Sequence, residues 1–475
     1  MSSTAPQSPF VAIACGGTGG HLFPGLAVAE QLQKRGCSVA LLISPKDVDQ
    51  QAVKSALERR APARHETENS PQLAETVPGA PLQVFTLPAV ALQNRNYFSF
   101  LRSFWQSWRA TKKIFQARPP QAVLAMGGFT SAPPVLAGNA FGAKTFLHES
   151  NTIPGRANRF LARFVDESFV GFPEAGSRLK ARKITTTGTP VRPGFVAAGV
   201  SPAVEPGILP GGKNLNDSVV AENLDAGPGG RMPPSTAGET PAATCRVALG
   251  LDPNRPTILV MGGSQGASGL NDMVLSALPL LQERGRPGRE LITNMPAGRQ
   301  RSQQLQFLHL TGTSDFEKVK AAYATLGIKA VVKPFLAEMD LALGAATISV
   351  SRSGASSLAE IAAMRLPSLL VPYPTAADNH QFVNALAFEK SGAAKLLEQK
   401  NSTPEKTAAL LCELVENDAT RAAMQSALAQ WHAPKAAEQI AEIILTAIAQ
   451  PAKAAQSKAK KCGCGHTHGS AKHAH

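Results

Sequence analysis

Phe10-Val-Ala-Ile-Ala-Cys15-Gly16-Gly17-Thr18-Gly19-Gly20-His21 is the stretch on which the fold turns. A short apolar run from Phe10 to Cys15 that breaks at once into glycines reads as a buried strand. Pro24 to Lys34 then has helical composition and stops at Gly36, and Val39 to Ile43 is a second apolar run. Strand, glycine loop, helix, strand is the repeating unit of a parallel sheet. The loop fails two familiar tests. A G-x-G-x-x-G frame begun at Gly17 meets Leu22 at its sixth position, and G-x-x-x-x-G-K-[ST] occurs nowhere in the chain, so neither a dinucleotide fingerprint nor a P-loop is present. What remains is a glycine turn before a helix, which suits an anion or a closely packed ligand, and equally a plain tight turn.

Outward from this unit the alternation continues, with Ala122 to Ala125, Lys144 to His148 and Ser168 to Val170 as short strands. From about Gly194 to Thr244 Gly, Pro, Ala and Ser dominate, as in Gly227-Pro-Gly-Gly-Arg-Met-Pro-Pro. Such a stretch buries too little apolar area to offset its ordering entropy and predicts a flexible insertion. Thr257 to Met261 then runs into Gly262-Gly263-Ser264-Gln265-Gly266, a second strand-to-glycine junction. Strands at Ala330 to Val332, Ala346 to Val350 and Ser368 to Val371 follow, with helices at Ser357 to Met364, Asn379 to Phe388 and Ala437 to Ala449. The expected plan is an N-terminal α/β domain over 8–193, the insertion over 194–244 and a C-terminal α/β domain over 245–432. A helix over 433–450 packs back on the first domain, and a disordered Lys/Cys/His tail occupies 451–475.

The 475 residues leave room for two domains with sizeable cores, and a hydrophobic share of 43% with 17% charged residues excludes wholesale disorder. Against 48 Lys and Arg stand 34 Asp and Glu, a net charge of +14 that favours anionic partners: nucleotides, acidic lipids or nucleic acid. No DNA or RNA motif accompanies that charge, so no nucleic-acid partner is expected. The apolar stretches fall short of the roughly 20 residues that span a bilayer, and no basic segment precedes Pro9 to Cys15 as a secretory signal requires. Cys15, Cys37, Cys245 and Cys412 are scattered rather than spaced as a disulfide framework, which fits a reducing, cytosolic compartment.

Several polar clusters sit where strands end. His148-Glu-Ser-Asn-Thr-Ile-Pro154-Gly155-Arg156-Ala-Asn158-Arg159 follows one strand, where open α/β sheets bind ligands, though capping residues of a loop would look the same. Thr187-Gly188-Thr-Pro-Val-Arg192 places an arginine near the domain boundary, suited to a ligand or to an interdomain salt bridge. Arg352-Ser-Gly-Ala355-Ser356-Ser357-Leu358-Ala359-Glu360 opens a helix whose N–H groups and hydroxyls suit a diphosphate, but Ser357-x-x-Glu360 also reads as a capping box. Asp378-Asn-His-Gln381 with Asn384 follows another strand. His21, on the lip of the first loop, suits a base or a structural contact. Phe98 to Arg118 interleaves aromatics with Arg102, Arg109, Lys112 and Lys113 and no acid, which fits either an anionic membrane surface or a core helix with a basic outer face. Cys462-Gly-Cys464-Gly-His466-Thr-His468 offers metal ligands without zinc-finger spacing, and Asp47-Val-Asp49 is an isolated D-x-D; neither makes a designed metal site.

Taken in order, Gly16-Gly-Thr-Gly-Gly-His21 with Pro24, Gly127-Gly-Phe129, His148-Glu-Ser-Asn151, Gly188-Thr-Pro-Val-Arg192, Gly262-Gly-Ser-Gln-Gly-Ala267, Arg352-Ser-Gly-Ala355 to Glu360, and Ala377-Asp-Asn-His-Gln381 resemble the MurG family over most of residues 10–450. These are the bacterial transferases that move N-acetylglucosamine from UDP-GlcNAc to the lipid-linked muramoyl pentapeptide, lipid I, giving lipid II. The resemblance implies a GT-B architecture, two Rossmann-like domains facing a cleft, and an inverting displacement that needs no metal or other cofactor. It implies that Thr18, Gly19 and Gly20 border the sugar and diphosphate, and that Asn151 and Arg192 meet the donor from the N-terminal side. It further implies Ser264 on the diphosphate, Leu336 on the uracil through its backbone, and Ala355, Ser356, Ser357, Leu358, Ala359 and Glu360 around phosphates and ribose, with Gln381 reaching the sugar. His21 is the leading base candidate. The expected partners are UDP-GlcNAc, lipid I and an anionic membrane surface, with the protein peripheral on the cytoplasmic face of the inner membrane. A UDP-sugar epimerase sharing the GT-B fold is the rival reading. The chain departs from the family pattern in Ser150, where glutamine is common, in the length of Val200 to Thr244, and in the Cys/His tail.

Overall fold

The structure, a computed structural model, describes residues 8–16, 19–46, 50, 53–54, 82–88, 97–192, 195, 241–263, 267–284 and 305–450. The expectations for Thr18, Asp47 to Asp49, Ser264, most of 194–244 and the tail 451–475 lie outside the described residues.

Strands β1 (Phe10–Ala14), β2 (Ser38–Ile43) and β4 (Ala122–Ala125) are buried at every residue, the continuous apolar pattern of parallel strands covered on both faces. With β3 (Leu82–Thr86), β5 (Lys144–Glu149), β6 (Glu167–Val170) and β7 (Ile184–Thr186) they form a seven-stranded parallel sheet, ordered β3-β2-β1-β4-β5-β6-β7 among the described residues. Among the described residues the second sheet has six strands: β8 (Thr257–Met261), β9 (Gln306–Leu310), β10 (Ala330–Lys333), β11 (Ile348–Ser351), β12 (Ser368–Leu370) and β13 (Lys395–Leu396), ordered β10-β9-β8-β11-β12-β13. Each sheet reverses its strand order beside its own glycine-loop strand, between β1 and β4 and between β8 and β11. At such a switch point the connections leave toward opposite faces and open a crevice at the carboxyl ends. Register puts Ala14 level with Ala125 and Met261 level with Ser351, so the loops after all four strands emerge at the two crevices.

The first helix runs Gly19–Lys34 rather than starting at Pro24. Proline has no N–H to return to the carbonyl one turn back, so Gly20 O loses its helical donor. The Ser356 hydroxyl of the second lobe stands 3.4 Å from that oxygen and donates to it. The helix therefore tolerates its proline at the point where the other lobe touches it. A second difference is the helix Pro241–Ala248, which begins inside the stretch expected to be flexible: proline suits a first helical position, and Thr244 and Cys245 are buried.

The C-terminal helix Ala436–Ala449 returns to the first lobe. Ile440, Ala441 and Ile444 are buried in one core with Val11, Ile13 and Leu41, each isoleucine contributing about 1.5–3 kcal/mol. Arg35 donates to Glu438 at 2.9 Å and lies 3.5 Å from Glu442. Where the chain crosses between lobes, a Cβ on Gly188 would fall 2.2 Å from that of Ala433, and its φ of +78° is left-handed, so only glycine fits the crossing.

Candidate active site

A cavity of about 790 Å3 opens between the carboxyl edges of the two sheets, walled by both lobes. On the first-lobe side His21 stands in the opening turn of its helix, and its ring packs against Gly127 and Gly128. A Cβ on either glycine would come within 3.1–3.2 Å of an imidazole nitrogen, and their φ values of +105° and +80° are themselves glycine conformations. Thr130 Oγ1 donates to Gly16 O at 2.7 Å, which fixes the two glycine loops against one another, and Ser131 Oγ donates to Gly127 O at 2.7 Å within the second.

At the end of β5 the buried Glu149 carboxylate organises the next wall. It accepts from the Asn151 N–H (2.8 Å), Asn151 Nδ2 (3.0 Å), the Gly155 N–H (3.0 Å) and Asn158 Nδ2 (2.8 Å), closing the loop that carries Asn151 to Asn158 along the cavity. His148 beside it is fully buried, and burial pushes its imidazole below the ordinary value, so the ring is neutral. Its Nε2 donates to Gly188 O at 3.0 Å, and Nδ1 accepts from Ser150 Oγ at 3.2 Å, which gives the side chain at the departing position a defined partner.

The second-lobe wall is the start of the helix Ala355–Ala363. Gly354 is its N-cap and makes no side-chain cap bond, so Ser357 is already inside the helix and the capping box does not form. Leu358 N–H returns to Gly354 O, leaving the amides of Ala355, Ser356 and Ser357 ahead of the helical ladder, at its positive end. Leu358 is buried in the core and neither it nor Ala359 lines the cavity; Ala355, Ser356, Ser357 and Glu360 do. Glu360 raises the question the sequence left open. Its carboxylate lies 3.5 Å from Arg192 Nη2, an ion pair between the lobes, and burial holds its pKa above the usual range while the guanidinium opposes that shift. Arg192 itself packs over the rings of Phe23 and Phe195 at 4.1 and 5.0 Å and is not among the cavity-lining residues, so here it is the interdomain salt bridge.

Gly20, Asn151, Leu336 and Gln381 all line the cavity, and Gly19 begins the first helix. The Gln381 side chain accepts from the Tyr373 N–H at 3.0 Å, which fixes its amide at the cavity wall. Two groups that residue type alone did not single out join the lobes. Asn384, wholly buried, accepts from Thr152 N–H (3.0 Å) and Oγ1 (2.8 Å) and donates to Asn151 Oδ1 (3.1 Å) and Ser353 O (3.2 Å). Asp378, held at φ +51°, pairs with Arg159 at 2.5 Å and Arg156 at 3.9 Å across the mouth. Their signal in the sequence was position after a strand, which cannot tell a cap from a bridge.

Known proteins are similar to this chain in sequence and fold. Residues 11–170 match the glycosyltransferase family 28 N-terminal domain and residues 257–440 the family 28 C-terminal domain. The UDP-N-acetylglucosamine--N-acetylmuramyl-(pentapeptide) pyrophosphoryl-undecaprenol N-acetylglucosamine transferase of Pelobacter propionicus is 32% identical over 405 residues, 85% of this chain and 90% of that protein. The crystal structure of Acinetobacter baumannii MurG aligns with a TM-score of 0.57 at 22% identity, over 92% of this chain and all of that one. A UDP-GlcNAc 2-epimerase from Neisseria meningitidis aligns with a TM-score of 0.54 at 12% identity, over 92% of this chain and all of that one. The fold alone therefore serves both transfer and epimerisation.

Proposed function

Since the chain belongs to the MurG family of glycosyltransferases, we propose that its interlobe cavity holds UDP-GlcNAc against the helix Ala355–Ala363 and the lipid-linked acceptor against the His21 wall. The protein is a hexosyltransferase that moves N-acetylglucosamine from UDP-GlcNAc to the undecaprenyl-diphospho-muramoyl pentapeptide, forming lipid II. The observation that carries the placement is that an imidazole and an unpaired helix N-terminus from opposite lobes share one cavity. The muramoyl 4-hydroxyl attacks the anomeric carbon, the bond from that carbon to the UDP oxygen breaks, and the configuration inverts. His21 takes the hydroxyl proton. The amides of Ala355 to Ser357 and the helix dipole stabilise the negative charge that gathers on the departing diphosphate. Glu360 exchanges its ion pair for the ribose hydroxyls. Transfer of labelled GlcNAc to a lipid I analogue tests the reading; rapid UDP-GlcNAc turnover without acceptor would favour epimerisation instead.

The acceptor's polyprenyl chain requires the cleft to reach a bilayer, and the helix Tyr97–Ala117 supplies a surface for it. Ser103, Ser107, Thr111 and Phe115 are buried along one face of that helix, while Phe98 is 80% exposed and Leu101 and Trp105 more than half exposed. It is thus a core helix on one side and an apolar, basic-rimmed edge on the other. Among the described residues no helix is long and apolar enough to cross a membrane. This edge supports peripheral docking on the anionic cytoplasmic face of the inner membrane, each basic residue adding about 1 kcal/mol. Replacing Arg102, Arg109, Lys112 and Lys113 by Glu is expected to abolish sedimentation with anionic vesicles and to spare transfer to a water-soluble acceptor; unchanged sedimentation would refute the docking edge.

A further inference from the structure

Arg352 directly follows β11 and is 5% exposed, yet its partners are all neutral. Nη1 donates to the carbonyls of Val371 (3.1 Å) and Pro372 (3.0 Å), Nη2 donates to Gln399 Oε1 (2.9 Å), and its Cζ lies 5.6 Å from the Tyr373 ring. Among the described residues it forms no ion pair, whereas the guanidiniums of Arg192 and Arg159 at the lobe interface face Glu360 and Asp378. Burial pushes the Arg352 pKa below its ordinary value, since taking a cation out of water disfavours the charged form. A buried cation held only by carbonyl and amide dipoles is costly, and an apolar side chain of similar volume would avoid that cost.

Its position offers a use for the charge. Ser353 and Gly354, next along the chain, lead into the helix Ala355–Ala363 at the cavity wall. Gln399, which Arg352 holds, lies beneath Gly269 in the first turn of the helix Ser268–Arg284; a Cβ there would sit 2.2 Å from Gln399 Nε2. Tyr373, under the guanidinium, gives its N–H to Gln381 of the cavity wall. Through the chain itself, Gln399 and Tyr373, the guanidinium is thus linked to the starts of two helices and to the Gln381 loop, and among the described residues it has no carboxylate partner.

We infer that Arg352 is an electrostatic positioning residue: from behind the cavity wall, without touching the ligand, it stabilises the diphosphate of the donor and of departing UDP and holds the two helix starts toward it. The inference rests on the proposed placement of UDP-GlcNAc at the helix Ala355–Ala363. A unit charge acting through a partly buried path on a diphosphate amounts to about tenfold in affinity.

Calorimetry of UDP and of uridine with the wild type, Arg352→Lys and Arg352→Gln tests it, with melting temperatures confirming that each variant is folded. Arg352→Gln is expected to weaken UDP about tenfold and uridine less than about twofold, and Arg352→Lys, which keeps the charge but not the fork, to stay within about threefold of wild type for UDP. Equal losses for UDP and uridine in Arg352→Gln would make the residue a scaffold only and overturn the inference, as would unchanged UDP affinity or a lysine variant as defective as the glutamine one. Failure of the wild type to bind UDP would instead sink the donor placement beneath it.

Discussion

The two switch points face the same cavity with different chemistry. At the first, the wall is glycine backbone with the His21 imidazole packed against Gly127 and Gly128. At the second it is a helix end with hydroxyls, backed by the buried guanidinium of Arg352 and edged by Glu360. On the proposed mechanism, proton transfer falls to the first lobe and charge stabilisation to the second, so that each half needs the other. The joints lie beside the cavity: Ser356 meets Gly20, Asn384 meets Thr152 and Asn151, and Glu360 meets Arg192, each pair or group with at least one cavity-lining member. The histidines make the same point. His21 borders the cavity, and the buried histidine of the second lobe, His309, lies away from it with both nitrogens bonded, Nδ1 accepting from the Tyr323 hydroxyl and Nε2 donating to Asn271 Oδ1, each at 3.1 Å.

The largest effect that would break this division is at His21. Its alanine variant is expected to lower turnover by about 100-fold or more while leaving UDP affinity near normal. Near-normal turnover would remove the base from the first lobe. Next comes Glu360→Ala, where loss of a charged acceptor for ribose hydroxyls is expected to weaken UDP-GlcNAc binding by about 1.5–3 kcal/mol in calorimetry. Unchanged donor affinity with a lowered melting temperature would leave Glu360 as Arg192's partner and nothing more. Asn384→Ala leaves Thr152 and Asn151 without their buried partner, and urea unfolding should report a loss of about 1–3 kcal/mol together with a raised KM for donor. A variant with wild-type stability and KM would show that the lobes are not keyed there.

The smallest effect sharpens the contrast between histidines. Burial holds the His309 imidazole down to a pKa of about 3, against an ordinary 6.5. Below pH 6.5 the unfolded chain takes up a proton that the folded one refuses, so stability falls with acidification, at most about 1.4 kcal/mol per pH unit down to pH 3. Thermal melts of wild type and His309→Gln should diverge least near pH 5 and most above pH 7, where the native network is intact. Parallel curves across that range would mean that His309 is not buried neutral.

The strands were legible because a parallel strand covered on both faces must be apolar throughout, and Phe10–Ala14 or Thr257–Met261 carry that demand in their composition. The glycine loops were legible for a similar reason: left-handed backbone at Gly127, Gly128 and Gly263 excludes most other residues. Helix starts were less so. Pro24 reads as a first helical residue, yet it lies inside the helix because Ser356, remote in sequence, satisfies the carbonyl it orphans.

By itself, then, the chain determined that it folds as two α/β units with a glycine turn after the leading strand of each, since burial and backbone freedom are properties of the residues at those positions. Only the tertiary structure decided which polar groups act together. Ser357 and Glu360 have the spacing of a cap, but the helix begins at Ala355 and so frees the carboxylate to face Arg192. Arg352 looks like any loop arginine until the ends of β11 and β12 and the turn at Gln399 close over it. A side chain's partners are set by which surfaces fold onto it, and its charge acquires its strength from the water those surfaces exclude.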